Sequence, residues 1–100
     1  MKVWVAYQGD VEQIGPSYTN IVGVYNSKTK AYRAILSSIE NYVDDDLDRF
    51  IGEPQFMDLD ESADWDAIRN VLKKDLVSTK ECEIGLRWYS YTSCYLNKIN

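Results

Sequence analysis

The sequence predicts an α+β domain: a three-stranded, mainly antiparallel sheet with two helices packed on one face and an acidic connection between them. Three observations carry that expectation. Residues 2–25 alternate in polarity around a loop of turn formers, as half-buried strands do. Apolar residues then recur at three- and four-residue spacing around Ile35 and again around Leu72, the stripe of amphipathic helices. Alternation resumes at Glu81 and runs to Ile99. A chain of 100 residues that is 45% hydrophobic makes one domain, residues 1–100, with one modest core.

The first strand spans about Lys2 to Gln8, with Val3, Val5 and Tyr7 on one face and Trp4 and Ala6 on the other. Gly9-Asp10 and Gly15-Pro16-Ser17 mark a loop, and a second strand returns from Tyr18 to Tyr25. Ser27 is placed to cap a helix whose stripe is Ala31, Ile35, Leu36, Ile39 and Val43. Lys28, Lys30 and Arg33 stand at its start and Asp44, Asp45 and Asp46 at its end. Both placements oppose the helix dipole, at some tenths of a kcal/mol per charge.

A short helical turn is expected over Asp45 to Ile51, ended by Gly52 and Pro54. Ser62 is read as the cap of a further helix carrying Trp65, Ile68, Leu72 and Leu76. The tail reads as one long strand, because turn residues are missing near Tyr89-Ser90; the alternative is a hairpin centred on Trp88. In the single strand Cys82 and Cys94 lie about 40 Å apart and cannot bond, whereas that hairpin sets them opposite each other.

Charge is distributed unevenly. Eleven of the sixteen acids fall between Glu40 and Asp66, where Arg49 is the single base, so this block carries −10. The other residues hold ten bases against five acids, a formal +5. Such asymmetry is an argument about partners.

The chain has no histidine, which excludes Ser-His-Asp and Cys-His catalysis and most transition-metal sites. Asp44, Asp46 and Asp48 copy the first three ligand positions of a calcium loop. Arg49 then replaces the required glycine, and Gln55 the bidentate glutamate. Asp58, Asp60 and Ser62 fail in the same way at Ala63 and Arg69. Neither a nucleotide-binding glycine loop nor a nucleophile motif accompanies the carboxylates. No cofactor, metal site or enzymatic activity is expected.

Tyr89, Tyr91 and Tyr95 could stack bases, but Arg87 and Lys98 are too few cations for nucleic acid. They read as cross-strand packing or as a protein interface. The apolar runs are far too short to span a bilayer, and the N-terminal segment lacks the pattern of a signal peptide, so the expected compartment is the cytoplasm.

Val3-Trp4-Val5-Ala6-Tyr7, Ile21-Val22-Gly23-Val24-Tyr25 and the helix opened by Ser27, with Lys30-Ala31 and Ala34-Ile35, resemble small phage and prophage ββα proteins. The resemblance covers about residues 2–36. It implies phage origin and no enzymatic activity, and it carries over no functional residue. The acidic middle and Tyr-rich tail depart from the short acidic hairpin endings of that group.

The expected function is therefore non-enzymatic binding: an acidic surface, imitating nucleic-acid charge, that docks on the basic surface of a host nucleic-acid-handling protein and inhibits it. The residues assigned to it are Asp44, Asp45, Asp46, Asp48, Glu53, Asp58, Asp60 and Glu61. A homo-oligomeric scaffold or ligand-sequestering protein using Tyr89, Tyr91 and Tyr95 is the alternative, and a divalent-metal enzyme a further one.

Overall fold

In the computed structural model, which describes residues 1–11, 19–44, 46–60 and 62–95, the alternating N-terminus forms β1 (Lys2–Asp10) and β2 (Thr19–Tyr25). The two apolar stripes lie on α1 (Lys28–Val43) and α3 (Trp65–Thr79). Between them run a one-turn helix, α2 (Asp48–Ile51), and a 3₁₀ turn (Pro54–Phe56). The tail forms β3 (Glu81–Ile84) and β4 (Arg87–Tyr95). The α+β class is as predicted, but the described residues hold four strands rather than three and three α-helices rather than two. The sheet order is β2-β1-β4-β3, antiparallel throughout. The loop expected around Gly15-Pro16-Ser17 and the tail beyond Tyr95 lie outside the described residues.

The additional strand comes from one turn. Gly85, at φ +61°, opens a two-residue loop, Gly85-Leu86, closed by the pair Ile84↔Arg87. A hairpin of this length needs a positive φ at its first loop position, which glycine adopts without a Cβ penalty. The expectation of a single long strand is thereby corrected, and the turn lies short of Trp88. Because residue 84 pairs with 87, the loop also reverses the inward parity. Cys82 and Ile84 share the core with Tyr89 and Tyr91, not with Trp88. Cys82 pairs with Tyr89 and Cys94 with Val3, so neither sequence model of their spacing holds, and both thiols are free.

All helices pack on one side of the sheet. Ala31, Ile35, Leu36, Ile39 and Val43 of α1 meet Ile68, Leu72 and Leu76 of α3 in a single cluster with Ala6, Tyr89 and Tyr91 of the sheet. The Tyr91 hydroxyl donates to the Leu76 carbonyl at 2.7 Å, joining β4 to the end of α3, and burial raises its pKa. Alternation places Val5, Tyr7, Ile21, Val24 and Trp88 on the opposite face, where Tyr7 and Trp88 meet edge to face at 5.7 Å.

Ser27 caps α1 as expected, accepting from Lys30 N–H at 3.2 Å. The cap of α3 is Asp64, which accepts from Ala67 N–H at 3.1 Å, and not Ser62. Ser62 is instead held by Asp60, to which its N–H and hydroxyl donate at 2.8 and 2.6 Å.

The two thiols are expected to behave differently. Burial, and then the carboxylates of Asp75, Glu83 and Glu81, push Cys82 up to about 12, whereas Cys94 is exposed. In native protein a disulfide reagent should label Cys94 at once and Cys82 only after unfolding. The folded state keeps a proton that the unfolded chain, near its ordinary 9.0, releases. Stability from this group is therefore complete below about pH 9 and declines towards about pH 12. Alkaline melts of Cys82→Ala should show a shallower decline than those of the parent.

Candidate functional site

The connection from α1 to α3 follows a repeating plan: acids outward, one apolar residue every few positions inward. Phe50 and Phe56 are fully buried, and Leu47, Ile51 and Leu59 pack against the core. Between these anchors the backbone closes in short steps. Phe50 N–H donates to Leu47 O at 2.9 Å, Glu53 to Phe50 at 3.0 Å, Phe56 to Glu53 at 2.9 Å and Leu59 to Phe56 at 2.9 Å. Such a series satisfies the backbone of a segment with little regular structure and fixes where its side chains leave the surface.

A side-chain clamp fastens this segment to the β3–β4 hairpin. The Glu53 carboxylate accepts Gly85 N–H at 3.0 and 3.1 Å, and also Gln55 Nε2 at 3.2 Å. Gln55 donates in turn to the Glu83 carbonyl at 2.8 Å. Beside the clamp the Tyr42 ring packs on Phe50 at 5.7 Å and lies 4.1 Å beneath the Arg87 guanidinium, a cation–π contact.

On this frame Asp44, Asp46, Asp48 and Asp58 are exposed, and among the described residues their carboxylates make no hydrogen bond or ion pair. Asp60 is also exposed, and its hydrogen bonds from Ser62 hold its carboxyl below the usual range. Asp45 and Glu61 lie outside the described residues.

Glu53 requires a correction: it is half-buried and committed to the hairpin, so it holds the surface in place and is not presented by it. For Tyr89 and Tyr91 the packing reading holds and the interface reading does not. At 0% and 1% exposed they are core residues, and only Tyr95, 71% exposed, is available to a partner.

Two features escaped the sequence reading. Met57 is 79% exposed within the acidic run, although it reads as one more anchor beside Phe56. A second acidic cluster, Asp75, Glu81 and Glu83, borders a cleft at the β3 edge. A charge count obscures it because these acids belong to the net-positive remainder of the chain; the flanking of Cys82 by Glu81 and Glu83 is the sole signal.

Among the described residues no group of three His, Cys, Asp or Glu side chains could hold a metal ion, and no helix is long and apolar enough to cross a membrane. No protein-family model, curated protein or solved structure matches the chain.

Proposed function

We propose that this is a non-enzymatic, phage-encoded binding protein whose acidic connection docks on the basic groove of a nucleic-acid-handling host protein and excludes the nucleic acid. One observation carries the reading. Asp44, Asp46, Asp48 and Asp58 are exposed and unpaired on a segment that Phe50, Phe56 and Glu53 hold fixed. A merely solvating acidic run needs no such frame, whereas a surface that imitates phosphate spacing does.

Two further features support it. Asp44 takes φ 51°, ψ −133°, a backbone state suited to glycine, and it sits at the C-terminus of α1 where the dipole disfavours a negative charge. The chain keeps a carboxylate there at a cost on both counts. Met57 adds an exposed, adaptable apolar side chain amid the charges, and methionine is enriched at protein interfaces.

The test is capture from a nuclease-treated bacterial lysate on the immobilised protein. The retained proteins should be nucleic-acid binders, released by added duplex DNA or RNA. Retention of proteins indifferent to both would argue against the reading.

A second reading, self-association, rests on a different surface from the tyrosine strand. Ile21 and Val24, 70% and 56% exposed, stand on the helix-free sheet face. A monomer in light scattering at micromolar concentration would remove it.

A further inference from the structure

Positive charge and aromatic surface meet at the end of the sheet opposite the acidic connection. β1 starts there, β2 and β4 finish there, and α1 begins and α3 ends beside them. Directly paired strand residues point to the same side of a sheet. The pairs Lys2↔Tyr95, Trp4↔Ser93 and Trp4↔Tyr25 therefore set Lys2, Trp4, Tyr25 and Tyr95 on one face, the face that carries the helices.

Two cations are placed against one ring. The Lys2 ammonium stands 4.9 Å from the centre of the Trp4 ring and the Lys80 ammonium 5.8 Å from it. Both lysines are exposed, and among the described residues neither has a carboxylate partner. Like charges gathered at one indole repel each other, and a shared anion relieves that repulsion. The first turn of α1, which begins three residues after Tyr25, holds Lys28 and Lys30 and no acid, at the positive end of its dipole.

Lys80 adds an observation independent of the charge count. It caps α3 in the left-handed conformation, φ 65° and ψ 17°, where helices favour glycine. Its carbonyl accepts the Tyr91 N–H at 3.2 Å and the Ser90 hydroxyl at 3.0 Å, which ties the residue to β4. The chain thus keeps a cation over Trp4 at a position that costs backbone energy.

Tyr95 is 71% exposed, and among the described residues its ring meets no other ring and its hydroxyl no partner. By chain position its cations are Arg87 and Lys98, too few for nucleic acid. The fold gives it others: Lys2 stands directly across the strand pair, with Lys80 beyond it at Trp4. From β4 through β1 to β2 the end alternates aromatic and cation, over strands about 4.8 Å apart. An acidic peptide needs only the cations, whereas a strand of bases and phosphates uses both. The acidic connection does not oppose such a ligand. Lys2 and Asp10, at the two ends of β1, lie about 27 Å apart, some three Debye lengths at physiological salt.

We propose that this end of the sheet binds single-stranded nucleic acid, with a base stacked on Tyr95 and phosphates on Lys2, Lys80 and the start of α1. The site is distinct from the acidic connection, and its occupancy does not depend on the host partner proposed above.

The test is fluorescence anisotropy with a labelled oligothymidylate about twelve nucleotides long, within the range of single-strand sites. It should bind at low salt, and the logarithm of its affinity should fall with that of salt at a slope of about −2, as for about three neutralised phosphates. The Trp4 indole NMR signal should move on binding. A duplex of the same length, and oligoglutamate, which has charge but no bases, should each bind at least about tenfold more weakly.

Tyr95→Ala should weaken the single strand about tenfold, and Tyr95→Phe, which keeps the ring, should not. Lys2→Gln/Lys80→Gln should weaken it about tenfold, and Asp44→Asn/Asp46→Asn/Asp48→Asn should leave it unchanged at physiological salt. Lys80→Gly separates charge from fold: glycine suits the left-handed cap, so affinity should fall while the melting temperature does not. Absence of binding at low salt, equal binding of oligoglutamate, or unchanged affinity in Tyr95→Ala would overturn the proposal.

Discussion

Gly85→Ala should be among the most destabilising single substitutions in the chain, lowering stability by about 2–5 kcal/mol in a denaturant melt. Two independent effects add at this position. The φ of +61° disfavours any side chain, and a Cβ there would stand 2.7 Å from the Tyr42 hydroxyl and 2.8 Å from Phe50 Cε1. Tyr42 lies under Arg87, and Phe50 is buried, so neither ring can move freely.

A domain of this size holds only about 5–15 kcal/mol in total, so the loss is a large share. Glu53→Ala, which strips the acceptor from Gly85 N–H, should cost about 1.5–3 kcal/mol. The double variant should lose less than the sum, because both act on one contact. Neither substitution alters Asp44, Asp46, Asp48 or Asp58. Both should nevertheless weaken partner binding, because they loosen the frame that presents those carboxylates.

Reversing Asp44, Asp46, Asp48 and Asp58 to lysine should reduce partner affinity by at least about 100-fold while the far-ultraviolet spectrum and melting temperature remain near those of the parent. The fold should tolerate the change, since all four side chains are exposed and unpaired among the described residues. New lysine at position 44 even suits the helix dipole better than aspartate. Binding should not tolerate it, because each reversal replaces attraction to a basic groove with repulsion. Met57→Ala should cost less, through a faster dissociation rate, as loss of one apolar contact does.

The sequence made most of the helical layer and the first hairpin legible, because periodicity reports burial directly. Ile35, Leu36 and Ile39 on α1 and Ile68, Leu72 and Leu76 on α3 are all buried, as their spacing predicts. The second hairpin was not legible. Gly85-Leu86 lacks the Asn-Gly signature of a tight turn, and an even-length loop lets alternation run on through it while exchanging the inward and outward sets. Alternation alone therefore leaves Tyr89 and Tyr91 open to packing or to an interface, and their burial decides for packing.

At the candidate site the charges were legible but their support was not. Glu53 and Gly85 are 32 residues apart, and no local pattern announces a carboxylate that accepts from a distant turn. Glu53 thus reads as one more acid in the run. The acids at Asp75, Glu81 and Glu83 were hidden for a related reason: the chain separates them, and only the packing of α3 beside β3 brings them to one cleft.

The proposed binding of a basic protein surface rests on the exposed carboxylates of the connection and the frame that fixes them. Its most direct measurement is parallel capture from bacterial lysate by the parent and the four-lysine variant, at low and at high salt. A protein should be retained by the parent at low salt, lost at high salt, and absent from the variant under both conditions. Equal retention by parent and variant, or retention indifferent to salt, would contradict it.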